Sequence, residues 1–553
     1  MHAPVELIHM TDVPVPVRDG TVLRADVFRP AGPGPAPVIM THGPYGKDIH
    51  FEDFNAHAYS LVTERGRYMN WETVNPEWWV PRGYAVVRVD QRGTGKSPGR
   101  MELQGPGEHQ DYYDAIEWAG TQDWSTGRVG LLGISYYAIG QWHVAALRPP
   151  HLAAIVPWEG ACDLYREWAR HGGILSNSFT DAWWPRQITG NQQALDPGDD
   201  NPGRAVAGNA ELPRELREHP FADAYFQERE VDLSRIEVPV LSCGNWGGYS
   251  LHLRGNIEGY LGAGSAHKWL EVHQGNHFTP FYAEESREYQ KRFLDRWLKD
   301  DTDAWPDDEP PVRLFVRTAD GGAFRAEREW PLARTRWQPF HLDARTGSLS
   351  PEGDGPRENA ETSYPAPDGA VTFLTAPFTE DTEVTGPLAL HLWAETDTAE
   401  DMDLFVTVIN LDPSGREVPC EDASGRPGPV TKGWLRMSHR ALDEERSLPH
   451  RPFHPHTGAE PVKPGEPFRA AVEIMPTSMV FARGHRLGLV LGAADRAEGL
   501  RFLHDDPEDR AASAAPGRNI VHTGPGRESY LLLPVIPADP AGPTGPADPS
   551  PAA

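Results

Sequence analysis

Apolar runs and glycine-rich loops alternate along the first half of the chain. Segment 22–28 alternates apolar and polar side chains as a half-buried strand does, and 37–41 and 84–89 are short apolar runs bounded by turn residues. Around 111–119, Tyr112, Ile116 and Trp118 recur at roughly helical spacing. The run 129–133 predicts a buried strand that passes through Ile134 and Ser135 directly into a helix carrying Trp142 and Ala145. Further strands are predicted at 152–157, 238–243 and 268–273. Strands alternating with helices predict a parallel sheet covered on both faces. Residues 164–236 break the alternation with helix formers, Trp, Asn and Arg, and predict a helical insertion placed to overhang the ligand side of such a sheet.

The pattern changes after Lys299. An acidic linker with Asp300, Asp301, Asp303 and Pro306 precedes period-2 runs at 312–317, 388–393, 404–409, 468–474 and 487–491, separated by Gly and Pro turns. Strands without intervening helices predict a β-sandwich or jelly roll. The expected division is a catalytic α/β unit over 1–163 and 237–303, a helical cap over 164–236, an all-β C-terminal unit over 304–536, and a disordered Pro/Ala/Gly/Ser tail over 537–553.

Composition narrows the function. A formal net charge of −28 repels phosphate backbones and anionic membrane surfaces, so neither nucleic acid nor membrane is an expected partner. No stretch approaches the ~20 apolar residues of a membrane span, and the N-terminus lacks a basic start followed by an apolar run. Three scattered cysteines, Cys162, Cys243 and Cys420, make no disulfide framework or zinc site and suit a reducing compartment; a cytoplasmic protein is expected. The turn 90–97 lacks the spacing of a phosphate-binding loop, and His450, His454 and His456 lie among prolines as an extended strap would. No cofactor and no metal is expected.

One site carries chemistry. Gly133-Ile134-Ser135 lies where a buried strand meets a helix, a context in which a tight turn lifts a serine hydroxyl above the sheet; the plainer alternative is a serine that caps the helix. Such a hydroxyl needs a neighbouring base, and His277, in the loop after the strand 268–273, is the candidate, with His273 read as a core residue. The oxyanion needs two donors: the N–H of Tyr136 follows from the turn, and Tyr45 is placed to supply a second, by phenol or main chain.

These residues resemble the cocaine-esterase and X-prolyl dipeptidyl-peptidase group of serine hydrolases, which also contains α-amino-acid ester hydrolases and β-lactam acylases. The resemblance rests on Pro44-Tyr45-Gly46-Lys47, on Asp90-Gln91-Arg92-Gly93-Thr94-Gly95-Lys96-Ser97, on Gly133-Ile134-Ser135-Tyr136, on Trp246 with its flanking glycines, and on His277. In the second unit it rests on Thr385-Gly386-Pro387, Asp401-Met402-Asp403, Gly433-Trp434-Leu435-Arg436 and Gly484-His485-Arg486-Leu487. It implies an α/β-hydrolase domain with an inserted helical cap followed by a jelly roll, and it implies that the phenol of Tyr45 is the second oxyanion donor.

Two departures stand out. Ala138 replaces the glycine usual after the elbow, a small change expected to leave helix and strand closely packed. More seriously, Gly244-Asn245-Trp246-Gly247-Gly248 carries no carboxylate where the family places its catalytic Asp. Glu159, at the end of the preceding strand, is the leading replacement and keeps the chain order nucleophile, acid, base; Asp163 is the competitor, and a two-residue or water-assisted site is the third possibility. The expected activity is hydrolysis of a small-molecule ester, amide or X-Pro peptide. An exposed amine-binding carboxylate cluster would favour aminopeptidase or amino-acid ester chemistry, whereas an apolar pocket built from Phe179, Trp183 and Trp184 would favour aromatic acyl esters; an esterase or acylase is the leading expectation. Rival readings are a catalytically silent relative and an acyltransferase. The sequence leaves the oligomeric state open, a homo-oligomer included.

Overall fold

In the computed structural model, which describes residues 6–189, 211–496 and 502–537, the apolar runs of the first half pair as one twisted sheet. Six strands open it: β1 (Leu7–Pro16), β2 (Val22–Pro30), β3 (Ala36–Gly43), β4 (Ala85–Asp90), β5 (Ser125–Ile134) and β6 (Leu152–Trp158). β1 and β2 form an antiparallel edge on β4, and β4, β3, β5 and β6 then run parallel. The strands Val240–Asn245 and Lys268–His273 extend the parallel sheet beyond β6. Every residue of β3, β4 and Val240–Asn245 is buried, as expected of strands covered by helices on both faces. Helices Pro106–Gly120, Tyr136–Ala146, Leu253–Gly262 and Glu284–Lys299 provide that cover.

The parallel order aligns the carboxyl ends of β5, β6, Val240–Asn245 and Lys268–His273 along one rim, where ligands of open α/β sheets bind. Ile134 faces Trp158, Trp158 faces Cys243, and Asn245 faces His273. Four successive loops therefore leave the sheet side by side. The short helix Asn177–Trp183 reaches this rim, where Phe179 and Trp183 line a cavity beside Tyr45, and the short helices Leu212–Glu218 and Ala224–Gln227 follow it in the chain.

Beyond Lys299 the described chain is built from strands apart from a single 3₁₀ turn, Met437–His439, with its own core around Leu388, Leu404, Val472 and Leu489. Its first strand, Val312–Thr318, pairs in parallel with Lys268–His273 and antiparallel with Gly321–Glu327, so the central sheet runs on into this region. Among the described residues, no helix is long and apolar enough to cross a membrane. The predicted disordered tail lies outside the described residues beyond Pro537.

Candidate active site

Ser135 occupies the turn between β5 and the helix Tyr136–Ala146 with φ 58° and ψ −117°, a conformation an L-residue holds only under constraint from its surroundings. The constraint is visible. The Ser135 N–H donates to the Trp158 carbonyl at 3.0 Å, and its own carbonyl accepts from Ala138 and Ile139 at 2.8 and 2.9 Å. A side chain at Gly133 would come within 2.7 Å of Tyr137 Cβ, so glycine is required for this close approach. The methyl of Ala138 is accommodated by Gly160, where an added Cβ would lie 2.9 Å away. Helix and neighbouring loop thus stay in close contact despite the alanine.

His277 is held from both sides. Gly275, at φ +125°, turns the chain out of the strand, and Asn276 Oδ1 accepts from the N–H groups of Phe278 and Thr279. The His277 N–H donates to the Ala423 carbonyl at 2.8 Å, a contact from the C-terminal region. Its Nδ1 meets Glu159 Oε2 at 2.6 Å. Glu159 follows β6 at φ 47° with its N–H on the Cys243 carbonyl, and its other oxygen receives His273 Nε2 at 3.0 Å and Asn245 Nδ2 at 3.2 Å. Burial alone would raise the carboxyl pKa, but the charge and hydrogen bonds of His277 and His273 hold it at about 2. Burial would likewise depress His277; Glu159 and then Glu72 outweigh it and push the imidazole up to about 10.

The position where the family's Asp is missing is physically closed. A Cβ on Gly247 would lie 2.7 Å from Ala423 N, Asp422 C and the Glu421 carbonyl oxygen, atoms of a hairpin pairing Cys420–Glu421 with Pro427–Gly428. Ala423 N donates to the Gly247 carbonyl at 3.1 Å. Asp163 does not approach the histidine: its carboxylate accepts from Arg166 Nη1 at 2.6 Å and from the Arg166 N–H at 3.0 Å.

Tyr45 completes the rim from the loop after β3. Lys47 anchors this loop: its N–H donates to Asp90 at 2.7 Å, and its buried ammonium lies 2.6, 2.8 and 2.9 Å from Asp12, Asp26 and Asp48. Asp90 also accepts from the Lys96 N–H, tying the two glycine-rich motifs together. The Tyr45 phenol interacts with Ser135 and receives Trp183 Nε1 at 3.3 Å; burial and the charge of Glu72 push its pKa well above 10, so it keeps its proton. Tyr136 begins its helix, so its N–H has no intrahelical acceptor. Its phenol donates to Glu108 at 2.7 Å, away from the elbow.

Ser135, His277, Tyr45 and Glu72 line one cavity of about 250 Å³. Trp71, Phe179, Trp183 and Phe278 make its walls aromatic, and residues 422–424 of the C-terminal hairpin close one side. Trp184, expected in the same wall, is buried beside Trp183 and is not part of the lining.

Residues 19–279 match the family model described as X-Pro dipeptidyl-peptidase (S15 family), and residues 303–532 match that of the X-Pro dipeptidyl-peptidase C-terminal non-catalytic domain. The crystal structure of a CocE/NonD family hydrolase from Staphylococcus aureus is 34% identical, with 96% of this chain and 94% of that chain covered at a TM-score of 0.88. The chain belongs to the CocE/NonD family of hydrolases. Cocaine esterase from Rhodococcus sp. (strain MB1 Bresler) is 26% identical over 611 aligned positions, covering 95% of this chain and 98% of the relative. An α-amino acid ester hydrolase structure, 21% identical with a TM-score of 0.69 over 96% of this chain and 97% of its own, shares the fold. This CocE/NonD family member is accordingly an enzyme of the hydrolase class, with an α/β-hydrolase-type first half and an all-β C-terminal part.

Sequence reasoning missed three neighbours of the site. Glu72 reaches the cavity from a loop with no periodic pattern. His273 is buried as a core residue should be, yet it bonds Glu159. The hairpin at 420–428 meets the His277 loop through backbone atoms, which leave no trace in residue type.

Proposed function

We propose that the chain is a serine hydrolase that cleaves an ester or amide through an acyl-enzyme on Ser135. His277 Nε2 takes the serine proton as Oγ attacks the acyl carbonyl, and then gives it to the leaving group. Glu159 orients the imidazole through Nδ1 and stabilises the imidazolium. The phenol of Tyr45 and the N–H of Tyr136 receive the developing oxyanion, in a site where burial keeps the phenol protonated. Water then releases the acyl group by the reverse sequence.

The observation that carries this reading is the 2.6 Å contact of Glu159 with His277 Nδ1, on the rim where Ser135 occupies a strained turn. The aromatic cavity walls support a preference for esters or amides with aromatic or bulky apolar acyl groups over X-Pro peptides. The same reading keeps a catalytic unit over 1–163 and 237–303, a helical cap over 164–236 and a C-terminal jelly roll over 304–536; the matched segments, 19–279 and 303–532, support only the boundary between the first and last of these. A fluorophosphonate probe tests the chemistry. Labelling of the wild type that is absent from Ser135→Ala supports it, and an unlabelled wild type would favour the catalytically silent relative.

A further inference from the structure

Glu72 lines the cavity and has no task in the scheme above. It is buried at 3% exposure and is presented by a loop locked over the elbow. The Ile134 N–H donates to the Glu72 carbonyl at 3.1 Å, Thr73 bridges to Gly133, and the Tyr282 phenol donates to the Thr73 carbonyl at 3.0 Å. Glu72 itself sits at φ 58°, a strained conformation of the kind that clusters at active sites.

Its carboxylate faces the reacting atoms. Oε1 lies 3.3 Å from His277 Nε2, the nitrogen that must exchange protons during acyl transfer, and the group also interacts with the Tyr45 phenol. Among the described residues, Oε2 is buried with no hydrogen-bond partner. A buried acceptor left unpaired costs free energy comparable to a lost hydrogen bond, so its retention points to an occupant that donates to it during turnover. In acylation the partner of Nε2 is Ser135 Oγ. In deacylation it is water; Oε1 and Nε2 are already in direct contact, so the water takes a place beside them, facing Nε2 and donating to the unpaired Oε2.

We propose that Glu72 is a further catalytic residue whose carboxylate holds the attacking water against His277 Nε2 during deacylation. The inference rests on the acyl-enzyme reading above. The water oxygen bonds to the acyl carbon while one of its hydrogens passes to Nε2; the other stays on the oxygen and is donated as a hydrogen bond to Glu72. The bond from the acyl carbon to Ser135 Oγ then breaks, Oγ takes the proton back from Nε2, and the carboxylic acid leaves. Glu72 ends the cycle with the protons it began with.

Pre-steady-state kinetics with an activated aryl ester test this, using wild type, Glu72→Gln and Glu72→Asp, with intact-protein mass spectrometry to count acyl-enzyme and hydroxylamine as a competing acceptor. Glu72→Gln is expected to acylate within about threefold of wild type while deacylation slows about 100-fold, at the lower end of what a positioned acid–base group contributes. Acyl-enzyme accumulates, KM falls, and product partitions toward the hydroxamate. Glu72→Asp, which keeps the charge but withdraws it by one methylene, falls in between and serves as the readout if the glutamine variant folds poorly. Equal losses in both half-reactions, or no change in either, overturn the proposal. A higher KM confined to esters bearing an ammonium group, with the ratio of the two rates unchanged, also overturns it and makes Glu72 an amine-binding group. A wild type with no labelled serine would instead remove the acyl-enzyme reading itself.

Discussion

Glu159 and His277, 118 positions apart in the chain, meet at 2.6 Å between a carboxylate oxygen and Nδ1, and this contact turns Nε2 toward the cavity. Glu159 arrives from the end of β6, one strand before Val240–Asn245, after which the sequence resemblance predicts a carboxylate. That shift is possible because β6, Val240–Asn245 and Lys268–His273 are adjacent and parallel, so a carboxylate at the end of the first reaches over the second with Asn245 as a bridge.

Glu159→Gln preserves the shape of this contact and removes its charge. The imidazolium formed during turnover then loses its anion at Nδ1 and keeps only Glu72 beside Nε2, and kcat is expected to fall about 10⁴-fold. Far-ultraviolet circular dichroism should stay unchanged. A rate within tenfold of wild type would assign the acid to another group.

Returning a carboxylate to its usual place should not rescue that variant. In Gly247→Asp the new Cβ would sit 2.7 Å from three backbone atoms of the hairpin, and backbone yields less readily than the tip of a side chain. Overpacking of this kind typically costs about 1–3 kcal/mol. The single variant should therefore melt several degrees lower, and Glu159→Gln with Gly247→Asp should be no more active than Glu159→Gln alone. Recovery of activity in the double variant would mean that the hairpin moves aside freely.

Tyr45→Phe removes one phenol from the oxyanion side while leaving the ring against Phe54, Trp71 and Trp183. Loss of an oxyanion donor costs about 10²–10³ in kcat with little change in ground-state binding. Steady-state kinetics should show the loss in kcat at nearly constant KM. The opposite pattern would make Tyr45 a binding residue.

The legible parts of this site were those dictated by local pattern and strand order. Ser135 stands between a buried strand and a helix, His277 follows the last parallel strand of the α/β run, and Glu159 ends the strand between them, so their approach to one rim follows from topology. Glu72 was not legible, because its position depends on hydrogen bonds from Ile134 and Tyr282 to the backbone of its loop. The closure of Gly247 was equally hidden: it depends on a hairpin more than 170 residues away in the chain, through main-chain atoms common to every residue. Trp184, predicted on the cavity wall with Trp183, shows the limit of composition, since adjacent side chains of a helical turn point in different directions.

The charges around His277 set opposite pH trends for stability and activity. Its folded-state pKa, raised from 6.5 to about 10, contributes stability that is full below 6.5 and is lost as pH rises through 10. Glu159, depressed from 4.5 to about 2, contributes above 4.5 and loses its contribution as pH falls through 2. Activity needs the imidazole neutral as a base, so kcat/KM of the free enzyme should climb on the alkaline side of an ordinary histidine while the melting temperature declines over the same interval. Replacing Glu159 by Gln removes the stronger of the two anions that retain the proton and leaves Glu72, so the residual activity of that variant should rise at lower pH than in the wild type. Profiles of kcat/KM against pH for both proteins decide the matter: coincident limbs would show that Glu159 does not govern the protonation of His277.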